Sequence, residues 1–184
     1  GTDTSPSFDE FAEAITGALI NSEIKPDNMP VLILETGRAL IDDAGYLLGS
    51  VLATKRLSDG RRSTIVDIGV NLLFTSFWYD HKITPAQPFS HHTEDSSIYG
   101  PLCMNIDQLR YNIELPPLKR GDHIVVSRIG AYNMTQWLQF ITYRPKVAMI
   151  DTQGNHHVIR ENETLDTIQH LEKVPQHLKQ FKLK

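Results

Sequence analysis

One step of helix, loop and apolar strand opens this chain, and it constrains the fold of everything around it. Ser7 and Glu10 have the spacing of a helix capping box, and apolar residues then recur at helical intervals, which predicts an amphipathic helix over residues 8–21. The uninterrupted apolar run Val31–Leu34 is typical of a strand buried on both faces of a parallel sheet. Because one αβ step cannot cover both faces of its own strand, we expect it to belong to a larger α/β structure.

From about Ala44 the sequence has the pattern of a mostly β domain. An Asp59-Gly60 turn joins the first two predicted strands. Residues 70–100 are rich in Pro, Ser, His and aromatic residues without any period, so we interpret them as irregular. Strands are predicted at 46–57, 62–68, 123–129, 146–151 and 156–160, with a short closing helix at 163–173. The fold class is therefore mainly β with a small α/β part, divided into a terminal α/β segment (residues 1–43) and a C-terminal β domain (residues 44–184).

The composition is that of an ordinary globular protein, with 22% charged and 40% hydrophobic residues among 184. A net charge of −4 without any long run of like charges argues against nucleic acid as a partner. No apolar stretch approaches the roughly 20 residues that span a bilayer, and the N-terminus lacks a signal pattern. We therefore expect a cytoplasmic protein with no membrane partner.

Metal binding is not predicted. The single cysteine excludes an internal disulfide and Cys-cluster zinc sites, and it suits a reducing compartment. The pairs His91-His92 and His156-His157 show no ligand spacing with carboxylate support, and adjacent histidines in a strand point in different directions.

The segment Glu35-Thr36-Gly37-Arg38 follows the predicted apolar strand, where α/β barrels place active-site groups. Gly37 can let a backbone amide approach a phosphate, Arg38 offers a bidentate fork, and Glu35 can hold a cation or a protonated ring nitrogen. A simple turn with a surface Glu–Arg pair explains the same residues.

Two further residues have both a chemical and a structural interpretation. Cys103 follows a Gly-Pro turn and precedes Asp107, but a lone cysteine with no adjacent basic partner is usually a small core hydrophobe. Tyr132, after Gly130-Ala131, could present a phenol to a ligand phosphate, or it could be half-buried packing.

Taken in order, these pieces resemble the C-terminal portion of the pyridoxal-phosphate-dependent decarboxylases of the ornithine, arginine and diaminopimelate group, from Ser7 to about Leu171. That family has the alanine-racemase-like architecture of fold type III, in which an α/β barrel is joined to a Greek-key-like β-barrel domain. The resemblance implies that residues 1–43 hold the last helix and strand of an incomplete (β/α)8 barrel.

Glu35-Thr36-Gly37-Arg38 is similar to the family's E-P-G-R. The resemblance implies that Glu35 pairs with the pyridinium nitrogen of pyridoxal phosphate and keeps it protonated, so that the cofactor acts as an electron sink. It implies that Gly37 and Arg38 contact the cofactor phosphate, with Arg38 also near the substrate carboxylate. Gly130-Ala131-Tyr132 is similar to the family's G-A-Y turn, which implies that Tyr132 contacts the same phosphate.

Gly100–Asp107 is similar to the family's G-P-x-C-(E/D)-x-x-D. The resemblance implies that Cys103 reaches across a homodimer interface and helps protonate the carbanion left by loss of CO₂. Asp107 falls on the motif's last acid, and Met104 falls on the intervening acid that binds a distal ammonium in relatives. Both are predicted as substrate-binding positions.

The segment from Gly69 to Tyr79 is similar to a stretch of diaminopimelate decarboxylases that carries an Arg-Pro pair, held here by Thr75 and Ser76. Tyr79 remains and is predicted to contact the substrate. The missing Arg argues against diaminopimelate, and Met104 argues against a diamino substrate. The predicted substrate is therefore another amino acid, or an amino-acid conjugate carried by another molecule.

The resemblance implies a lyase of amino-acid metabolism, a carboxy-lyase whose Schiff-base lysine lies in an earlier barrel segment. These 184 residues alone are expected to bind no cofactor and to be inactive. Two alternatives stay open. One is a decarboxylase-like module that has lost catalysis and serves as a binding or regulatory partner, and the other is a racemase of the same fold, in which a Tyr rather than Cys103 acts at the α-carbon.

Overall fold

The computed structural model describes residues 5–89 and 92–179, so His91 lies outside the described residues. The chain divides into two compact units, Gly1–Glu35 and Thr36–Lys184. In the first unit, helix α1 (Phe8–Ile20) begins at the predicted capping box. The Ser7 amide donates to Glu10 Oε2 at 2.6 Å, and the Glu10 amide donates to Ser7 Oγ at 3.2 Å. The predicted helix is confirmed.

The predicted buried strand over Val31–Leu34 is wrong. The segment has no strand assignment, and Val31 and Ile33 are 88% and 79% exposed. A strand exists only where a neighbour completes its ladder of backbone hydrogen bonds, and the described residues of this unit contain no second strand. Apolar composition alone therefore does not produce a strand here.

The second unit begins with a short helix, α2 (Gly37–Ile41), followed by a 3₁₀ turn at Asp42–Ala44. A further 3₁₀ turn lies at Phe74–Phe77 and a last one at Gln176–Leu178. The strands and the closing helix are β1 (Tyr46–Arg56), β2 (Arg62–Val66), β3 (Lys82–Pro85), β4 (Glu94–Tyr99), β5 (Gln108–Leu115), β6 (His123–Ser127), β7 (Val147–Ile150), β8 (His156–Arg160) and α3 (Leu165–Gln169).

Strands β1, β2, β6, β7 and β8 and helix α3 lie where the sequence predicts them. The interpretation of residues 70–100 as irregular is wrong in part, because β3 and β4 lie within them, and β5 was not predicted. Strand β4 escapes recognition because polar side chains occupy most of it, yet Ser96 and Ser97 are buried against neighbouring strands. Its strand character comes from its position in the sheet.

The first six strands form one sheet in the order β3-β6-β1-β2-β4-β5, and β7 pairs with β8 separately. All neighbours are antiparallel except β2 and β4, which are parallel. The sheet is nearly closed and barrel-like, around a core that contains Val66, Ile98, Ile124 and Val126. The mainly β fold class is confirmed.

Strand pairing brings the candidate residues to one end of this sheet. The first residues of β1 and β3 both pair with the last residue of β6, Ser127. The last residue of β4 pairs with the end of β2 and with the first residue of β5. The segments that carry Arg38, Tyr79, Cys103 and Tyr132 therefore all leave or enter the sheet at this end. Among the described residues, no helix is long and apolar enough to cross a membrane.

Candidate functional site

Arg38 is the centre of a set of contacts at this end of the sheet. Its Nε donates to Asp42 Oδ2 at 3.1 Å, one helical turn along α2. The guanidinium carbon lies 4.0 Å from the centroid of the Tyr79 ring, a cation–π contact. Among the described residues, no hydrogen bond engages Arg38 Nη1 or Nη2. The guanidinium is thus held at one edge and on one face, while the edge that can bind an anion in bidentate fashion stays available.

Burial disfavours the charged form of Arg38, but the hydrogen bond to Asp42 and the electrostatic effect of Tyr79, Asp42 and Tyr132, the two tyrosines acting only at alkaline pH, outweigh it and raise the pKa of the guanidinium. Arg38 is therefore a permanent cation at this end of the sheet.

Asp42 ties Arg38 to the Gly130-Ala131-Tyr132 turn. Its Oδ1 accepts from the Ala131 amide at 3.4 Å, and its carbonyl oxygen accepts from the Gly130 amide at 3.1 Å. The approach is close enough to require glycine, since a Cβ added to Gly130 would lie 1.9 Å from the Ile41 carbonyl oxygen. The G-A-Y turn is thus packed directly against the end of α2.

Tyr132 has a φ of 66°, in the left-handed region that a tyrosine rarely adopts. Its ring packs edge-on against Trp78, with centroids 5.2 Å apart, and Trp78 packs in the same way against Phe74 at 5.6 Å. Because Trp78 precedes Tyr79 in the chain, a closed circuit of contacts runs from Arg38 through Asp42, the G-A-Y turn, Trp78 and Tyr79 back to Arg38.

A network of buried polar side chains lies next to this circuit of contacts. Thr75 is fully buried, and its hydroxyl lies 2.6 Å from His81 Nε2 and 3.0 Å from Asn133 Oδ1. The Asn133 side-chain amide in turn donates to the carbonyls of Ile129 and Ala131 at 3.3 Å. Burial lowers the pKa of His81, against the opposing effect of backbone groups at Ser127 and Arg128. The network joins the segment before β3 to the segment after β6.

Tyr79 lies between this network and Arg38. Its ring centroid is 4.7 Å from that of His81, and its hydroxyl is buried without a hydrogen-bond partner among the described residues. A buried phenol without a partner costs free energy, so a ligand that accepts from or donates to this hydroxyl would be stabilised.

The loop of Cys103 is anchored by Asp107. Asp107 is 3% exposed, and its carboxylate oxygens accept from the Val70 amide at 2.8 Å and the Leu102 amide at 2.7 Å. Oδ1 thus holds the loop to the segment after β2, and Oδ2 ties two residues of the loop to each other. Cys103 itself is free and exposed at the loop surface.

Met104 is partly buried and packs against the hydrophobic core of the sheet. It also lines a cavity of about 330 Å³ together with Lys55, Tyr99 and Leu102. Among the described residues, no hydrogen bond, ion pair or ring contact joins Cys103, Met104 or Asp107 to the Arg38 circuit.

Arg38, Tyr79 and Tyr132 are thus brought together, whereas Cys103, Met104 and Asp107 form a separate group at the same end of the sheet. Gly37 precedes Arg38 with open space around it, since an added Cβ would meet nothing within 4 Å. Glu35 is exposed and belongs to the other unit of the chain. Asp42, Trp78, His81 and Asn133 were missed by sequence reasoning. Only Asp42 had a local signal, its i,i+4 spacing from Arg38.

A family model described as the C-terminal sheet domain of the pyridoxal-dependent decarboxylases matches residues 38–130, a span that begins at Arg38 and includes Tyr79 and Cys103. The chain belongs to this family. The diaminopimelate decarboxylase of Methanothermobacter thermautotrophicus is 30% identical over 177 residues, which are 93% of this chain and 40% of that protein. The family is pyridoxal-phosphate dependent, and the diaminopimelate decarboxylases that this chain matches are carboxy-lyases.

Solved decarboxylase structures agree with this membership. The crystal structure of diaminopimelate decarboxylase from M. jannaschii superposes with a TM-score of 0.85 at 30% identity, over 97% of this chain and 41% of that one. The Helicobacter pylori enzyme complexed with L-lysine gives a TM-score of 0.79 at 26% identity, over 93% of this chain and 41% of that one. The chain therefore spans about 40% of the length of the decarboxylases that it matches, and it corresponds to their C-terminal part.

Proposed function

We propose that this chain is the C-terminal part of a pyridoxal-phosphate-dependent amino-acid decarboxylase. The match of residues 38–130 to the family's sheet domain carries the proposal. The rest of the barrel, with the Schiff-base lysine, would lie in a part of the protein that these residues do not cover, so the 184-residue chain alone would not turn over substrate.

The residues present fit a cofactor that bears a phosphate. The two unengaged Nη groups of Arg38 can bind phosphate oxygens in bidentate fashion, and Tyr132, on the turn held by Asp42, can donate its phenol to the same group. Open space at Gly37 leaves room for the approach of a phosphate. Glu35 would pair with the pyridinium nitrogen. When bound, pyridoxal phosphate supplies an electron sink for the electrons left at the α-carbon by loss of CO₂.

Three side chains would act on the substrate. Arg38 would attract the substrate carboxylate through its positive charge, and the partnerless Tyr79 hydroxyl can hydrogen-bond the substrate. Cys103, exposed on its loop, would donate its thiol proton to the α-carbon of a substrate in the partner subunit of a homodimer. This role requires a reduced thiol, which supports a cytoplasmic location for the full protein.

The substrate we propose is an amino acid, or an amino-acid conjugate, whose distal end is neither a simple ammonium nor a simple carboxylate. Thr75 supports this, because it is fully buried and bonded to His81 and Asn133 rather than offering a charge to a ligand. Met104 supports it as well, since an apolar side chain cannot bind an ammonium. Asp107, predicted as a substrate-binding position, would contribute indirectly, by holding the Cys103 loop in place.

The full-length protein with added pyridoxal phosphate tests the proposal. We expect the visible absorbance of the bound cofactor and release of CO₂ from an amino acid or conjugate with an uncharged distal group, with little release from diaminopimelate, lysine or ornithine. Efficient turnover of diaminopimelate would contradict the substrate class, and racemisation without CO₂ release would favour a racemase.

The second candidate is a non-catalytic module that has kept the fold but not the chemistry. Thr75 favours it, because it holds the place of an Arg in diaminopimelate decarboxylases and, buried against His81 and Asn133, offers no charge to a substrate. Absence of cofactor absorbance in the full-length protein would select this candidate.

A further inference from the structure

Asp42 contacts neither cofactor nor substrate in the function proposed above, yet it is buried and hydrogen-bonded at this end of the sheet. It is 8% exposed, and it accepts hydrogen bonds through both carboxylate oxygens, from Arg38 Nε at 3.1 Å and from the Ala131 amide at 3.4 Å. Its carbonyl oxygen accepts two more, from the amides of Gly45 at 3.3 Å and Gly130 at 3.1 Å. One residue therefore joins α2, the start of β1 and the G-A-Y turn.

The contact with Arg38 determines how the guanidinium is presented. An arginine on a surface samples many rotamers, and holding it in one costs conformational entropy on each binding event. Here Nε is bound to Asp42 and one face lies on Tyr79, so the Nη edge is the part of the guanidinium left without a hydrogen bond among the described residues. The orientation is set before any ligand arrives, which lowers the entropic cost of binding.

The contact with the Ala131 amide acts on Tyr132 in the same way. The left-handed φ of 66° at Tyr132 is unfavourable for a tyrosine and persists only where neighbouring bonds hold it. The bonds from the Gly130 and Ala131 amides to Asp42 directly precede this residue. The Tyr132 phenol is therefore presented by a turn that Asp42 helps to hold.

The negative charge of Asp42 and its positioning of Arg38 and Tyr132 have opposite effects on anion binding. A carboxylate beside an anion site repels the anion, so an Asp42 that acted only as a charge would weaken phosphate binding. An Asp42 that acted by orientation would strengthen it. Substitution therefore separates the two effects by the sign of the change.

We propose that Asp42 is a positioning residue of an anion site formed by Arg38 and Tyr132: it holds the guanidinium and the G-A-Y turn in one arrangement, so that both donors meet the same phosphate or carboxylate. The proposal rests on the proposed function only for the identity of the anion, the phosphate of pyridoxal phosphate.

Asp42→Asn and Asp43→Asn in the full-length protein form a matched pair. Asp43 is the next residue, carries the same charge, and makes an exposed ion pair with Arg128 at 3.0 Å. We expect Asp42→Asn to weaken binding of pyridoxal phosphate and of inorganic phosphate about tenfold, because asparagine has one acceptor oxygen for the two donors, Arg38 Nε and the Ala131 amide. Asp43→Asn should bind both as the unchanged protein does, or slightly more tightly. Equal or tighter binding by Asp42→Asn would overturn the proposal.

Trp78 provides a readout that needs neither activity nor cofactor. It packs against Tyr132, and subtracting the emission of the matching Trp78→Phe protein isolates its signal. We expect acrylamide to quench Trp78 more strongly in Asp42→Asn, because the turn loosens, and equally in Asp43→Asn and the unchanged protein. Unchanged quenching in Asp42→Asn would overturn the proposal. If the unchanged protein fails to bind pyridoxal phosphate, the proposed function is wrong, and this comparison still tests Asp42.

Arg38→Lys covers the case in which Asp42→Asn does not fold. This substitution removes the hydrogen bond between Arg38 Nε and Asp42 by changing Arg38, whose side chain is half exposed, and it keeps the positive charge. We expect a loss of phosphate binding at least as large as that of Asp42→Asn. Phosphate binding equal to that of the unchanged protein would show that charge without orientation suffices, and it would overturn the proposal.

Discussion

Gly130 shows how a single residue sets the geometry of the site. A Cβ at this position would lie 1.9 Å from the Ile41 carbonyl oxygen and 3.1 Å from the Gly45 amide nitrogen. Both of these atoms belong to the backbone and cannot rotate away as a side chain would. The contact between α2 and the G-A-Y turn therefore depends on the absence of a side chain at residue 130.

Gly130→Ala is predicted to lower the free energy of unfolding by about 2 kcal/mol or more, because the two segments must separate to admit the methyl group. Urea unfolding followed by circular dichroism measures the change. Gly37→Ala is the control, since its Cβ meets nothing within 4 Å, and it should change the free energy of unfolding by less than about 0.5 kcal/mol. Equal midpoints for the two variants would contradict the prediction.

His81 makes the stability of this end of the sheet depend on pH. Burial lowers its pKa in the folded protein, so below the unperturbed value of about 6.5 the unfolded chain binds the proton more readily than the folded chain. The stabilisation is therefore complete above this value and is lost as the pH falls through the lower folded pKa.

We expect His81→Gln to reduce stability at about pH 7.5, since its bond to Thr75 is disturbed, but to flatten the further loss between about pH 7.5 and about pH 5.5. Urea midpoints at the two pH values test this. His123→Gln, at an exposed position on β6, should keep the slope of the unchanged protein. A slope in His81→Gln as steep as in the unchanged protein would assign the pH dependence to other groups.

At the scale of elements, the loop between β4 and β5 is ordered by one carboxylate. Asp107 accepts from the Val70 and Leu102 amides, and it packs so closely on Gly100 that a Cβ there would lie 2.3 Å from its oxygens. The loop that presents Cys103 is therefore fastened to the segment after β2 rather than left to sample many conformations.

Asp107→Asn is predicted to cost about 2 kcal/mol or more, because the new side-chain amide faces a backbone N–H that needs an acceptor. Hydrogen exchange should accelerate at the Val70 and Leu102 amides. Asn105→Ala, at an exposed position of the same loop, should leave both amides protected. If both amides stay protected from exchange in Asp107→Asn, then Asp107 does not anchor the loop.

At the scale of the whole molecule, large apolar side chains are exposed on the loops that leave or enter the β sheet. They are about half exposed and come from three segments: Phe77, Trp78, Ile106, Leu138 and Ile141. Large apolar side chains left exposed are typical of surfaces that another protein segment covers. The barrel of the proposed full-length enzyme and the partner subunit of the proposed homodimer are the expected occupants.

We predict that the 184-residue chain alone self-associates, with a mass by light scattering that rises with concentration. Ile106→Asp should shift the equilibrium toward monomer, because a carboxylate in an apolar contact loses its hydration. Leu52→Asp, at a similarly exposed position in the middle of β1, should not. A monodisperse monomer of the unchanged chain at all concentrations would contradict the prediction.

Helix α1, the β1–β2 hairpin and the β7–β8 hairpin follow from the sequence alone, because a capping box, an alternating pattern and tight turns act between residues close together in the chain. The order of the Glu35–Arg38, Gly100–Asp107 and Gly130–Tyr132 motifs likewise identifies the family without any coordinates.

Only the tertiary structure decided the rest. Val31–Leu34 forms no strand, because no neighbour within residues 5–89 and 92–179 completes its backbone hydrogen bonds, whereas polar β4 becomes a strand because β2 and β5 pair with it. In the same way, Asp42 meets Ala131, and Thr75 meets Asn133, across long separations in sequence. Burial and ladder pairing arise between residues that are distant in the chain, so the sequence identifies the motifs and the family, but the way in which the motifs are held could not be predicted from it.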